Sequence, residues 1–350
     1  MKKFMLFAAM ASVVLTSCVN EDKEVMESAS KKAISFDMPV MKPTRAAGEI
    51  DGTTYPEGET FKVFCKSYTG AYTDWTTYAD YFATAGEDVA YNGTKWSTAT
   101  VHYWPELGNK LAFAAYSPAT ASGTFAQTQT GLTITGFSTQ DDVANQYDLM
   151  YTPRVVDLDK NDAGTDVPLA FKHALTSVVF KATKTDADAT YTIKSLTVKG
   201  MISTTGNFNQ NILTPAELDG TPVWTPAAAT DKTYSILADK TINVAQDPGT
   251  NLTGVGSTAG ATTALLLIPQ GVDANTTVTI TYTKTTGGNS LDATATIKLV
   301  DFLNGTNPPV TEWAMGHRYI YNIIFGANKP IYFAPTVTDW TDVTLDYTIE

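Results

Sequence analysis

The sequence predicts an all-β protein, and three features of its composition and patterning support this class. Threonine is the commonest residue and makes up about one in six of the 350 residues. It occurs with many valine, isoleucine and tyrosine residues, which fit the pleated surface of a sheet. Good helix formers at a 3.6-residue spacing are scarce. Short segments with period-two alternation and turn signals recur instead, as in β-sandwiches.

The overall composition limits the classes of function that the chain can have. Hydrophobic residues make up 43% and charged residues 17%, which is typical of folded chains rather than disordered ones. The length allows two domains of ordinary size. There are 24 Lys and Arg residues against 36 Asp and Glu residues, a formal charge of −12. This balance argues against a nucleic-acid partner, because such binding needs cations that displace phosphate counterions.

The amino terminus has the pattern of a lipoprotein signal peptide. Lys2 and Lys3 precede an apolar segment, residues 4–15, which has the length of a secretory signal and is too short to span a bilayer. It ends in Leu15-Thr16-Ser17-Cys18, which resembles the bacterial lipobox. We therefore predict a signal peptide over residues 1–17 and acylation of Cys18, palmitate included. The acyl chains would anchor the protein in the outer membrane, facing the cell surface.

A candidate strand and a candidate cleavage site follow this signal. Ile34, Phe36, Met38 and Val40 occupy every second position, which is typical of a half-buried strand. Residues 42–48 then combine proline, small residues and glycine, which predicts an exposed and extended loop. Within that loop, Arg45-Ala46 is a target for a trypsin-like protease. We predict that residues 18–45 form an acidic tether and a removable leader strand.

The C-terminus repeats the same alternation, with apolar side chains at Val343, Leu345, Tyr347 and Ile349. One interpretation is a strand that completes the chain's own sheet. The other is that the leader strand closes a groove until Arg45 is cut, after which the tail of another copy fills it. Burial of four large apolar side chains would contribute about 6–12 kcal/mol gross, at about 1.5–3 kcal/mol each. Added strands also gain main-chain hydrogen bonds.

Two segments of the first half give clear local predictions. Tyr91-Asn92-Gly93-Thr94-Lys95-Trp96 predicts a β-hairpin, and Asn-Gly is the preferred pair for a two-residue type I′ turn. Residues 110–117 form an apolar segment that Pro118 ends, which predicts a buried strand.

Several short blocks occur along the chain in a recognisable order. They are Trp104-Pro105, Phe171-Lys172-His173-Ala174-Leu175, Leu267-Ile268-Pro269-Gln270, Gly316-His317-Arg318-Tyr319-Ile320-Tyr321 and Val337-Thr338-Asp339-Trp340. Their order, behind a lipobox and a Thr-Arg-Ala sequence, resembles the Mfa-like branch of the fimbrillin family of Bacteroidetes, the subunits of type V pili. The resemblance extends over most of residues 30–345. It implies two transthyretin-like β-sandwich domains in tandem, cleavage after Arg45 and polymerisation by donor-strand exchange.

The same reasoning predicts where the domains divide. We expect an N-terminal sandwich over residues 46–165 and a C-terminal sandwich over residues 166–350, which carries the donor strand Val343–Ile349. The boundary falls in the polar stretch 157–166. Its acidic residues suggest a calcium loop, but the EF-hand pattern needs glycine and glutamate where Asp162 and Pro168 stand. A linker is therefore favoured over a calcium site.

The sequence carries no recognisable catalytic constellation. His102, His173 and His317 lie within apolar or aromatic segments, which favours structural histidines over a metal site. The Gly-x-Ser-x-Gly nucleophile motif does not occur. We therefore predict a protein that is not an enzyme and that has no cofactor and no metal site.

One aromatic segment is a candidate binding surface. Tyr68, Tyr72, Trp75 and Tyr78 alternate with small and polar residues, and such rings can form a platform for a glycan or a partner protein. Aromatic residues at this density are also typical of cross-strand packing. Both interpretations are open at the level of sequence.

These observations predict a structural subunit of a cell-surface fimbria that supports adhesion. Its partners would be other fimbrial subunits, a trypsin-like processing protease and, through the lipid anchor before processing, the membrane. Host or bacterial glycans or proteins are further candidate partners. Two alternatives are a tip or accessory adhesin and a non-polymerising surface lipoprotein that binds glycans.

Overall fold

The computed structural model describes residues 31–37, 40–41, 50, 55–214, 216–237, 242–246, 249–253, 264–302, 310–326 and 341–349, with the backbone alone at 40–41 and 341–349. Cys18, Met38, Arg45, Ala46 and the block at 337–340 lie outside these residues. The described chain is all-β, as the sequence predicts. Its helical structure consists of the 3-10 turns Trp75–Thr77, Val143–Asn145, Lys160–Asp162 and Leu299–Asp301. No helix in the described ranges is long and apolar enough to cross a membrane.

The first half of the chain contributes fourteen of the described strands. They are β1 (Phe36–Asp37), β2 (Val40–Met41), β3 (Tyr55–Pro56), β4 (Phe61–Tyr68), β5 (Ala79–Asp80), β6 (Glu87–Tyr91), β7 (Trp96–Thr98), β8 (Lys110–Ser117), β9 (Thr124–Thr128), β10 (Gly131–Ser138), β11 (Met150–Tyr151), β12 (Val155–Leu158), β13 (Val167–Pro168) and β14 (Lys172–His173).

The second half contributes the other fourteen strands of the described residues. They are β15 (Thr176–Lys184), β16 (Ala189–Ile202), β17 (Thr205–Asn209), β18 (Val223–Pro226), β19 (Thr230–Leu237), β20 (Ile242–Asn243), β21 (Thr250–Asn251), β22 (Leu265–Leu267), β23 (Gln270–Gly271), β24 (Thr277–Thr286), β25 (Asn289–Lys298), β26 (Glu312–Trp313), β27 (His317–Phe325) and β28 (Thr341–Ile349).

The strands pair into four main sheets. A large N-terminal sheet has the order β13-β1-β7-β6-β4-β8-β11-β14, with β12 on β8 and β5 on β4. Two sheets belong to the second half, with the orders β21-β15-β27-β28 and β19-β16-β24-β25. The fourth sheet, β18-β17-β10-β9, combines strands from both sides of residue 165. The domain division at residues 165 and 166 stays a prediction, and this sheet connects its two sides.

Alternating residues explain why the long strands form. In β24, Val278, Ile280 and Tyr282 point into the core, and threonines occupy the positions between them. Threonine is branched at Cβ and fits the outer, partly exposed face of such a strand. In β16 the alternation changes phase between Ile193 and Leu196, because a β-bulge shifts the register there and keeps both side chains buried.

The buried side chains form three hydrophobic clusters. One fills the second half, between the sheets that contain β15 and β16. Another lies in the first half and contains Ile34 and Phe36. The third joins residues of both halves, for example Phe64 and Leu132 with Phe208 and Leu266. Because this cluster and the sheet β18-β17-β10-β9 both draw on the two halves, the halves are coupled by packing as well as by backbone hydrogen bonds.

The structure confirms the predicted hairpin around Asn92 but not its turn type. Tyr91 pairs with Trp96, so the loop has four residues, 92–95. Gly93 has a positive φ of 92°, whereas Asn92 does not, and a type I′ turn needs both. The Asn92 side chain instead accepts hydrogen bonds from the backbone N–H groups of Thr94 and Lys95, at 3.0 and 2.9 Å. This side-chain turn places Lys95 directly before β7.

Candidate functional site

The leader segment is built into the large N-terminal sheet. Phe36 pairs antiparallel with Trp96 of β7 and parallel with Val167 of β13, so β1 lies between these two strands. The backbone N–H of Val167 donates to the carbonyl of Ser35 at 2.7 Å. Of the predicted strand over residues 34–40, the structure shows the two short strands β1 and β2. β2 pairs in parallel with β3.

Hydrogen bonds also hold the residues that precede β1. The N–H of Ile34 donates to the carbonyl of His102 at 2.8 Å, and the N–H of Trp104 donates to the carbonyl of Lys32 at 3.1 Å. Between these bonds and the Phe36–Trp96 pair, residues 99–101 belong to no strand. A cleft of about 370 Å³ opens at this interruption, lined in part by Ile34 and Val101.

Ile34 and Phe36, the described members of the leader's alternation, belong to the core. Ile34 is 4% exposed and Phe36 is 2% exposed. The Phe36 ring lies edge-on to Phe61 of β4 and Phe113 of β8, with centroid distances of 5.9 and 6.0 Å. Such edge-to-face contacts are favourable beyond the area that they bury. We call the surface that receives these side chains the leader berth; it consists of Phe61, Trp96 and Phe113 together with β13.

A polar clamp closes over the outer side of the leader. Lys95 precedes β7 and Asp166 precedes β13, and their side chains form an ion pair at 2.7 Å. The Ser35 hydroxyl lies between them: it donates to Asp166, and the Lys95 ammonium donates to it at 3.4 Å. Partial burial raises the pKa of Asp166, but the hydrogen bonds from Lys95 and Ser35 outweigh it and hold that pKa below its usual value.

The sequence does not indicate this clamp. From the sequence alone, residues 157–166 are predicted to be a polar linker, and Lys95 is predicted only as part of a hairpin. In the structure two acidic residues of that stretch pair with lysines of the first half. Asp157 pairs with Lys110 at 2.6 Å, and Asp166 pairs with Lys95. The sequence signal was the alternation of Val167, Leu169 and Phe171 directly after the acidic stretch, because apolar residues at every second position indicate a strand.

The chain after the predicted cleavage site also has contacts outside the leader. The backbone N–H of Ile50 donates to the Asp148 carboxylate at 3.1 Å, and His173 contacts the same oxygen at 2.8 Å. The Asp148 side chain is fully buried. Tyr55 is buried as well, and its hydroxyl bonds to Ser117 at 2.6 Å. Arg45 and Ala46 lie outside the described residues, in the connection between β2 and Ile50.

The C-terminal segment forms strand β28, as its alternation predicts. It runs parallel to β27, from the pair His317–Thr341 to the pair Phe325–Ile349. Within the described residues β28 is the outermost strand of its sheet, with β27 on one side. The side chains of Val343, Leu345, Tyr347 and Ile349 lie outside the description.

The candidate aromatic platform is mostly packed into the third cluster. Tyr68 is 5% exposed and Trp75 is 1% exposed, so neither offers a ring face to a ligand. Tyr72 and Tyr78 are half-buried, and the Tyr78 ring stacks on Tyr68 at a centroid distance of 4.6 Å. Arg154 lies 5.2 Å from the centre of the Trp75 ring. The geometry favours cross-strand packing for this segment, and ligand binding by it stays a prediction.

Each histidine has a polar contact in the structure. His102 contacts the Glu87 carboxylate at 2.9 Å, His173 contacts Asp148, and the Nδ1 atom of His317 lies 2.8 Å from the carbonyl of Met315. Within the described part of the chain, no three residues among His, Cys, Asp and Glu are grouped so that they could hold a metal ion. Cys65 is buried, and burial raises the pKa of its thiol.

Comparison with known proteins agrees with this architecture. A fimbrial protein from Bacteroides vulgatus is 16% identical, with a TM-score of 0.52 over 84% of this chain and 95% of that chain. A protein described as a candidate cell adhesion protein from Bacteroides uniformis is 16% identical, with a TM-score of 0.44 over 84% and 93% of the two chains. The likeness to the first supports the all-β fold. No curated protein matches this chain.

The family comparison covers most of the sequence. The sequence model described as fimbrillin-like matches residues 44–340. This range begins beside Arg45 and includes the leader berth, the clamp residues Lys95 and Asp166, and strand β27. The resemblance that the sequence blocks indicated is thereby confirmed, and the chain belongs to the fimbrillin-like family.

Proposed function

We propose that this chain is a structural subunit of a cell-surface fimbria and that it assembles by strand exchange at the leader berth. In this proposal the chain is exported as a lipoprotein acylated at Cys18 and is cleaved after Arg45. The leader then leaves, and the C-terminal strand of a second copy takes its place. The observation that carries the proposal is the burial of Ile34 and Phe36. They are core residues, yet they precede the predicted cleavage site.

The energetics of the berth support an exchange rather than a simple loss of the leader. Ile34 and Phe36 together contribute about 3–6 kcal/mol of burial. Their removal would expose Phe61, Trp96 and Phe113 to water, and a contiguous apolar surface of this kind favours binding or aggregation. A strand with apolar side chains at alternate positions restores both the burial and the main-chain hydrogen bonds. Residues 343–349 have this alternation.

The position of the leader in its sheet supports release. On its outer side, the pairing partner is the two-residue strand β13. On its inner side, the ladder to residues 96–104 is interrupted at residues 99–101, which belong to no strand. The leader is therefore held by a few separate hydrogen bonds and by side-chain burial. Cleavage at Arg45 would turn it from a part of the same chain into a dissociable segment.

The test is a comparison of wild type with Arg45→Ala and with a chain that lacks residues 343–350. Wild type should yield a mature chain that begins at Ala46, together with SDS-resistant ladders. Arg45→Ala should leave folded monomers that keep the leader, whereas Lys42→Ala is the matched control and should be processed like wild type. The truncated chain should be processed but should not polymerise. Ladders that persist in Arg45→Ala or in the truncated chain would contradict the proposal.

N-terminal sequencing of the surface protein also tests the two alternatives. A non-polymerising glycan-binding lipoprotein would keep residues 18–45, so an uncut N-terminus would favour it. A tip adhesin would be cut at Arg45 but would appear once per fibre, which subunit counting on isolated fimbriae would show.

A further inference from the structure

We propose that the incoming strand docks in a single register, in which Thr344 of the second copy takes the position of Ser35 in the clamp between Lys95 and Asp166. This inference rests on the proposed strand exchange and specifies which residues set its register. Val343 and Leu345 would then replace Ile34 and Phe36 in the core. The strand would run in the same direction as the leader.

The leader and the C-terminal strand correspond residue by residue. Residues 34–40 read Ile-Ser-Phe-Asp-Met-Pro-Val, and residues 343–349 read Val-Thr-Leu-Asp-Tyr-Thr-Ile. Aligned from their first residues, both have apolar side chains at the first, third, fifth and seventh positions. Both also have a hydroxyl at the second position and an aspartate at the fourth. The alternation of a strand explains the apolar positions, but it does not require the hydroxyl and the acid to coincide.

The chemistry of the clamp also favours a hydroxyl at this position. The Asp166 carboxylate receives one hydrogen bond from Lys95 and one from the Ser35 hydroxyl. Once the leader has left, Asp166 lacks the second donor. Threonine supplies the same hydroxyl on the same side of a strand, whereas aspartate at this position would place a second carboxylate against Asp166. Like charges in close contact oppose binding and select against wrong pairings.

Charge and burial disfavour the other registers in this direction. An odd shift would turn every apolar side chain away from the core. A shift of two residues would place Asp342 or Asp346 at the clamp. A shift of four would place Thr348 there, but only Tyr347 and Ile349 would then remain to fill the berth. The register with Thr344 at the clamp is the one that combines a hydroxyl there with four apolar residues.

The direction of the strand follows from the hydrogen bonds of the leader. Ile34 and Lys32 make antiparallel bonds with His102 and Trp104, and Phe36 pairs antiparallel with Trp96. A strand in the leader's direction can reuse these donors and acceptors. A reversed strand would also place a threonine, Thr348, at the clamp, but it would have to form a parallel ladder with β7, which is less stable per residue.

The experiment uses the full chain after cleavage at Arg45 and measures the yield of SDS-resistant polymer. Thr344→Asp should lower the rate of polymer formation about tenfold or more, because it removes a donor to Asp166 and adds a charge beside it. Thr348→Asp is the matched control, because in the proposed register it lies about 13 Å further along the strand. The double variant with Thr344→Asp and Asp166→Asn should form polymer at most of the rate of the Asp166→Asn variant, which is its reference.

A second measurement keeps the folded chain unchanged. Synthetic peptides of residues 341–350, with Thr344 or with its Asp replacement, compete for the berth of the cut wild-type chain, and the Thr344 peptide should bind about tenfold more tightly. Equal effects of Thr344→Asp and Thr348→Asp, a larger effect of Thr348→Asp, or no rescue by Asp166→Asn would overturn the register while strand exchange stands. Absence of any polymer from the cut wild-type chain would overturn strand exchange, and the register with it.

Discussion

Phe36 and Phe61 meet edge to face, with ring centroids 5.9 Å apart and an interplanar angle of 87°. Phe36 precedes the predicted cleavage site at Arg45, and Phe61 follows it. The contact therefore joins the segment that we expect to be removed with the segment that we expect to remain. Cleavage at Arg45 would leave this contact intact at first, because no bond between the two rings is cut. The cut leader could then dissociate, and another strand could restore the packing against Phe61.

Phe36→Ala should destabilise the uncut chain by about 3–5 kcal/mol, because it removes a fully buried ring from a packed cluster. Chemical denaturation of the Arg45→Ala chain, with and without the substitution, measures this difference. Asp37→Ala is the matched control, because Asp37 is the exposed neighbour in the same strand. An equal effect of the two substitutions would mean that the leader is not held by burial.

Asp148→Asn should lower the free energy of unfolding by about 3–5 kcal/mol. The carboxylate is fully buried and joins His173 to the backbone N–H of Ile50, and loss of one partner of a buried pair is costly. Thermal and urea denaturation measure the effect. Asp88→Asn is the control, since Asp88 pairs with Lys62 at the surface and its side chain is 65% exposed, so that the change should be far smaller.

Gln146→Leu should weaken the coupling between the two halves. The buried Gln146 side chain accepts a hydrogen bond from the N–H of Leu266 at 2.7 Å and donates to the carbonyl of Gln140 at 2.8 Å. Leucine leaves the Leu266 N–H without this acceptor, which costs about 1–3 kcal/mol. Differential scanning calorimetry should show a lower Tm. Gln140→Leu is the control, because Gln140 is exposed, and it should change the Tm little. A larger decrease in Tm for Gln140→Leu than for Gln146→Leu would contradict this role of Gln146.

Alkaline pH should destabilise the fold between about pH 10 and about pH 12. Burial raises the pKa of Tyr116 and of Tyr234 to about 12, above the value near 10 of an unfolded chain. In this interval the unfolded state binds fewer protons than the folded state, so the free energy of unfolding falls as the pH rises. Below pH 10 the contribution is fully present. Denaturation midpoints across the interval should fall less steeply for Tyr116→Phe than for wild type.

Much of this fold could be predicted from the sequence, because the patterns that indicate its strands are local. Strand β8 ends at Ser117, directly before Pro118, and β28 follows its alternating apolar residues, as predicted. The turn at Asn92 was assigned to the wrong type, because the Asn-Gly pair does not reveal that the Asn92 side chain would accept two backbone hydrogen bonds. The sequence does not decide whether the aromatic segment packs in the core or binds a ligand, because residue type alone does not distinguish a packed Trp75 from an exposed one.

The candidate site could be predicted only in part. The alternation of Ile34 and Phe36 indicated a strand, as the structure shows, whereas cleavage at Arg45 stays a prediction. Lys95 and Asp166 could not be connected, because they are 71 positions apart and each lies beside a short strand with few apolar residues. Charged surface residues have no periodic signal, and their pairing depends on how distant strands are ordered in the sheet.

The sequence by itself determined the all-β class, the alternation of the leader and the C-terminal strand, and the cleavage motif, because each follows from neighbouring residues along one chain. The tertiary structure decided that the leader lies between β7 and β13, that Phe36 is a core residue, and that Lys95 and Asp166 close over Ser35. These relationships arise from the pairing of strands that are distant in the chain, and short-range periodicity does not encode that order.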